Sequence, residues 1–122
     1  MNVFEQTKIT KAWDYTAGRY QYSFQFVFTT KAQYLEFRSG WREHYRKLSE
    51  EIRALKRTTR EAQRTASRAP SELIQQTRSE AARCQQTLRD RQEEARLQMA
   101  MRAGSKVLAQ QQYAARRKLD RG

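Results

Sequence analysis

Twelve of the thirteen Phe, Trp and Tyr residues of this 122-residue chain lie before residue 46, and Tyr113 is the exception. Aromatic side chains bury the most apolar area per residue, and apolar burial is the dominant favourable term in folding. The densest packing must therefore come from the first third of the chain, and the rest has to fold on aliphatic and alanine side chains. Charge runs the other way. Residues 1–30 carry a net +1, residues 31–69 carry +6 and residues 70–122 carry +5, within a total of +12.

The aromatic head reads as a β-hairpin. Tyr20–Thr29 alternates with period two, placing Tyr20, Tyr22, Phe24, Phe26 and Phe28 on one face. Alternation in aromatic and β-branched residues is a strand signal. Lys8–Tyr15 alternates as well, with Ile9, Trp13 and Tyr15 together, and Thr16-Ala17-Gly18-Arg19 supplies a turn. A lone hairpin is marginal in water, so its aromatic face needs a cover.

The cover follows directly. Thr30-Lys31-Ala32-Gln33 fits a capping box in which the Thr30 hydroxyl and the Gln33 side chain satisfy backbone donors reciprocally. Apolar residues then fall at Tyr34, Phe37, Trp41, Tyr45, Leu48, Ile52 and Leu55, and the register continues through Thr59, Ala62, Ala66 and Ala69. Gly40 is the weak point of this helix, and a break at Ser39-Gly40 is one option. Pro70 closes the element and suits the first turn of a second helix, seamed by Ile74, Thr77, Ala81, Cys84, Leu88 and Ala95. Gly104-Ser105 reads as punctuation before a short third helix over Lys106–Leu119, with Val107, Leu108, Tyr113 and Leu119 as its apolar residues.

The expected fold is α+β and mostly α: an N-terminal hairpin packed on a long basic amphipathic helix, then a second long helix forming a helical hairpin. Residues 1–69 hold the hairpin and long helix. Residues 70–122 form a helical arm, either part of the same domain or an extension ordered by a partner. A homo-oligomer joined through the helical seam stays open.

Composition excludes many functions. One Cys and one His rule out a disulfide framework, a Cys-based zinc site and any site built on two histidines. His44 and Cys84 would form a reactive pair only if the two helices brought them together, and neither has an evident orienting carboxylate. Phosphate-binding loops, dinucleotide fingerprints and metalloprotease motifs are missing. The expectation is a non-enzymatic protein with no cofactor and no metal. No apolar run approaches the roughly 20 residues that span a bilayer. Residues 1–7 lack the charged and apolar regions of a signal peptide. These features point to a cytoplasmic protein with no membrane partner.

The bases are placed unevenly. One flank of the helical seam reads Arg42, Arg46, Ser49, Arg53, Lys56, Arg60, while Glu36, Glu43 and Glu50 repeat every seven residues on the outer face. From Arg42 to Arg60 the stripe is roughly 27 Å long, approaching the roughly 34 Å of one duplex turn. Arginine offers planar, bidentate donors that match phosphate. The expected function is binding to nucleic acid, DNA or RNA, or to a nucleoprotein complex. Arg42, Arg46, Arg53, Lys56 and Arg60 contact phosphates in this reading, and Arg38, Arg57, Arg64 and Arg68 extend the site. The plainer reading is a solvated face held by Arg46–Glu50, Glu43–Lys47 and Arg57–Glu61 pairs at i,i+4. An acidic protein surface is a further partner for the same stripe.

Two alternatives use other parts of the chain. The hairpin aromatics could stack single-stranded bases, but core packing accounts for most of them, with Trp13 and Tyr20 the exposed exceptions. A small inhibitor or assembly subunit could dock on a nucleic-acid-handling complex through the aromatic head or the coiled-coil arm.

Overall fold

The computed structural model describes residues 2–121, with side chains through residue 116. The architecture is α+β and mostly helical: β1 (Lys8–Asp14), β2 (Arg19–Gln25), α1 (Lys31–Arg68) and α2 (Ile74–Arg121). The chain forms two compact units. The first comprises Met1–His44 with Leu97–Gly122, and the second is Tyr45–Arg96.

In the first unit, β1 and β2 pair antiparallel with Lys8 opposite Gln25, Ile9 opposite Phe24 and Trp13 opposite Tyr20. The turn between them is held by Asp14, whose Oδ1 accepts the amides of Thr16 at 2.9 Å and Ala17 at 3.1 Å. Gly18 closes it with φ 65°, a left-handed conformation that suits glycine. β2 ends at Gln25, earlier than the alternation to Thr29 suggests. Beyond that point, Phe26 and Phe28 leave the ladder to pack against α1. Phe37 meets Phe26 edge-on with ring centres 5.5 Å apart, and Phe28 contacts both Tyr34 and Phe37 at 5.4 Å.

α1 is capped much as its sequence implies. The Thr30 hydroxyl accepts the Gln33 amide at 3.3 Å. The reciprocal bond is displaced by one residue, because Gln33 Oε1 accepts the amide of Thr29 rather than that of Thr30. The helix does not break at Ser39-Gly40. The missing side chain at Gly40 instead makes room for Phe4, whose Cβ would lie 2.9 Å from a Cβ added there. Phe28, Phe37, Trp41, Met101 and Ala109 form the buried apolar core of this unit, and the Trp41 indole donates to the Gln98 carbonyl at 2.8 Å.

Gly104-Ser105 does not separate two helices, since α2 runs unbroken from Ile74 to Arg121. Ser105 is buried with its hydroxyl donating to the Arg102 carbonyl at 2.8 Å, so the helix absorbs its polar group. Gly104 faces the Phe26 ring. Of the apolar residues assigned to a third helix, Val107 is exposed, Leu108 and Tyr113 are half-buried, and the side chain of Leu119 lies outside the described residues. The buried seam instead passes through Met101, Ser105 and Ala109.

In the second unit, α1 and α2 pack on a thinner core. Leu48, Thr59 and Leu88 are buried, and Tyr45, Ile52, Leu55, Ala62, Ala66, Ile74, Thr77, Ala81 and Cys84 are half-buried, as their spacing implies. α1 stops at Arg68, and α2 begins at Ile74 rather than Pro70. Pro70 accepts the Leu73 amide at 2.9 Å in the intervening turn.

Candidate nucleic-acid interface

All nine predicted contact residues are exposed. Arg38 and Arg42 belong to the first unit, and Arg46, Arg53, Lys56, Arg57, Arg60, Arg64 and Arg68 to the second. At 3.6 residues per turn, the seven in the second unit occupy an arc of about 120° beside the buried seam. From Arg46 to Arg68 they span about 33 Å along α1. Glu50 and Glu61 border the far edge of this arc, and Glu51 lies across the helix from it.

Of the ion pairs expected along this stripe, one forms and one does not. Arg46 binds Glu50 at 2.8 Å. The Arg57–Glu61 pair does not form. Among the described residues, Arg53, Lys56, Arg57, Arg60, Arg64 and Arg68 have no carboxylate within 4.0 Å. They neighbour one another instead: 53–56, 53–57, 56–60, 57–60, 60–64 and 64–68 are like-charge pairs at i,i+3 or i,i+4. At a few tenths of a kcal/mol each, and partly offset by Glu50 and Glu61 at the same spacings from Arg53, Arg57 and Arg64, this repulsion costs the free helix about 1 kcal/mol.

α2 contributes cations that the sequence reading left out. Gln63 donates to Gln85 at 3.2 Å, which marks one flank of the helix pair. Glu51 and Arg91 pair at 2.9 Å and mark the other. With antiparallel helices, Arg78, Arg89 and Arg96 project on the Gln85 flank of α2, the side on which α1 carries Arg53, Lys56 and Arg60. Arg96 is bonded to Glu93 at 3.2 Å. Arg78 and Arg89 are exposed and, among the described residues, have no carboxylate partner. Two helical faces therefore join into one basic surface. Its only signal in the sequence is the 11-residue and 7-residue spacing of Arg78, Arg89 and Arg96, three helical turns and then two.

In the first unit, Arg38 and Arg42 have company too. They rim a small recess of about 10 Å³ with Arg102 and Lys106, above Trp41 and Phe37. The Arg102 guanidinium lies over the Trp41 ring, 5.2 Å from its centre. The hairpin places Trp13 edge-on to Tyr20 at 4.9 Å, with the Lys11 ammonium 3.8 Å from the Tyr20 ring centre. Both rings are partly exposed, at 45% and 39%, whereas Tyr22 and Phe24 are half-buried and Phe28 is buried.

His44 rests against Phe4 with ring centres 5.3 Å apart, and Cys84 is a half-buried free thiol on the seam of the second unit. Among the described residues no group of three or more His, Cys, Asp or Glu side chains could hold a metal ion. None of the described helices is long and apolar enough to cross a membrane. No family model, curated protein or solved structure matches this chain.

Proposed function

We propose that this protein is a non-enzymatic, cytoplasmic nucleic-acid-binding protein that grips the phosphate backbone of DNA or RNA, free or within a nucleoprotein complex. Arg46, Arg53, Lys56, Arg57, Arg60, Arg64 and Arg68 supply the contacts, and Arg38 and Arg42 form a separate, smaller cluster with Arg102 and Lys106. The observation that carries the reading is the run of cations from Arg53 to Arg68 that have no carboxylate partner among the described residues. Such a run favours a polyanion by charge and by counterion release, without reading base identity.

The test is local charge reversal at constant net charge. Arg53→Glu with Arg60→Glu is compared with Lys8→Glu and Lys31→Glu, which remove the same charge elsewhere. The wild type binds a 30-base-pair duplex at physiological salt within or more tightly than the common nonspecific range of roughly 10⁻⁴–10⁻⁶ M. The stripe variant loses at least tenfold while the control stays within threefold. Equal losses in both variants reduce the proposal to bulk adhesion.

A second reading rests on Trp13 and Tyr20. Their exposed faces suit docking on a protein partner of a nucleic-acid-handling complex, which makes the protein an inhibitor or assembly subunit. Trp13→Ala abolishing partner capture with nucleic-acid affinity intact would favour this reading.

A further inference from the structure

The proposed phosphate grip leaves open whether the ligand is one strand or two. We infer that the basic surface of the second unit takes a nucleic-acid duplex, and that Arg78 and Arg89 of α2 are contact residues alongside Arg53, Lys56 and Arg60 of α1. The inference rests on the phosphate-binding reading and adds the form of the ligand to it.

The axes of packed helices lie about 8–10 Å apart, so the cations of α1 and α2 form two lines along one flank. A duplex likewise presents two lines of phosphates along each groove. A single strand has one phosphate row and would leave either Arg78 and Arg89 or Arg53 and Arg60 unmatched.

Nonspecific single-strand sites combine a basic groove with aromatic rings on which bases stack. In the second unit the sole aromatic residue is Tyr45, and it lies half-buried on the helical seam. The neighbours of the cations on this flank are Gln63 and Gln85, bonded to each other. The surface can hold a backbone and has no aromatic ring on which an unstacked base could stack.

Arg78 and Arg89 have no carboxylate partner among the described residues, and they share their flank with the unpaired row on α1. The self-repulsion of a two-row surface is relieved best by a ligand that is itself charged on two edges.

Fluorescence anisotropy at fixed salt tests this, with a 24-base-pair DNA duplex, a 24-base-pair RNA duplex and the matching single strands as probes. Wild type, Arg78→Glu with Arg89→Glu, and Arg53→Glu with Arg60→Glu are compared, with circular dichroism checking that each keeps its helix content. The expected result is at least tenfold tighter binding to a duplex than to its single strand. The α2 variant then loses at least fivefold on the duplex and less than twofold on the single strand. Relative affinity for the two duplexes identifies the source of the phosphates. Single strands bound as tightly as duplexes, or an α2 variant that binds like wild type, would overturn the inference while leaving the phosphate grip standing. Binding of no probe at all removes the grip and the inference together.

Discussion

Arg91 of α2 pairs with Glu51 of α1 at 2.9 Å on the flank of the second unit away from the basic surface. Arg91 interrupts the apolar seam of α2 in sequence, and its position over a carboxylate explains why the helix tolerates it. Both side chains are about half exposed, at 48% and 47%, so solvent screens the pair. A double-mutant cycle of Glu51→Gln and Arg91→Gln should give a coupling of about 0.2–1 kcal/mol. Its helical placement, more than its energy, matters here: it concentrates opposite charge on one flank and leaves the other flank to bases.

The two helical glycines should respond oppositely to alanine. At Gly104 an added Cβ would meet the Phe26 ring at 3.5 Å, ordinary contact, so Gly104→Ala gains helix propensity and should stabilise by up to about 1 kcal/mol. At Gly40 the added Cβ would lie 2.9 Å from Phe4 Cβ, close to the backbone and unable to swing away. Overpacking of that kind costs about 1–3 kcal/mol, which exceeds the propensity gain. Thermal melts of the two variants should move in opposite directions.

Thr59 is buried on the α1 seam, and its hydroxyl has no hydrogen-bond partner among the described residues. Thr58 and Thr65 each donate to the carbonyl four residues back, at 3.0 and 2.9 Å. Thr59→Val replaces an unsatisfied polar group with a methyl of similar shape and should stabilise by about 1 kcal/mol in denaturant unfolding. A destabilised valine variant would mean that the hydroxyl is satisfied in solution.

The hairpin turn should loosen in acid. The Ala17 amide, followed by the Gln21 side chain, holds the Asp14 carboxyl below its ordinary value. A carboxyl with a lowered folded pKa contributes stability above its unfolded value, about 3.9, and loses it as pH falls through the folded value. The Thr16 and Ala17 amide proton shifts should therefore be flat above about pH 5 and move only below about pH 4. Asp14→Asn should abolish that titration.

The seams of both helices were legible in the sequence because a packed helix must bury a side chain every three or four residues. Tyr34 through Ala69 and Ile74 through Leu88 obey that rule with apolar or small residues, and Arg91 breaks it before Ala95. The seam beyond Ala95 was obscured because it runs through Gln98, Met101, Ser105 and Ala109, where polarity and a neighbouring glycine imitate a loop. Ser105 hides its hydroxyl on the Arg102 carbonyl, a bond that no pattern announces. Within the candidate site, the α1 stripe was visible as a heptad flank. The addition of Arg78 and Arg89 was not, because it depends on which flank of α2 meets which flank of α1. The Gln63–Gln85 contact fixes that choice.

The most direct test of the phosphate grip is the salt dependence of duplex binding. The seven α1 contacts alone predict a slope of log affinity against log salt of about −6, at about −0.9 per contact on B-form DNA, and Arg78 and Arg89 steepen it to about −8. Arg53→Glu with Arg60→Glu should flatten that slope by about two units. A slope near zero, or one that the substitutions leave unchanged, would contradict the assignment of these arginines to the nucleic-acid backbone.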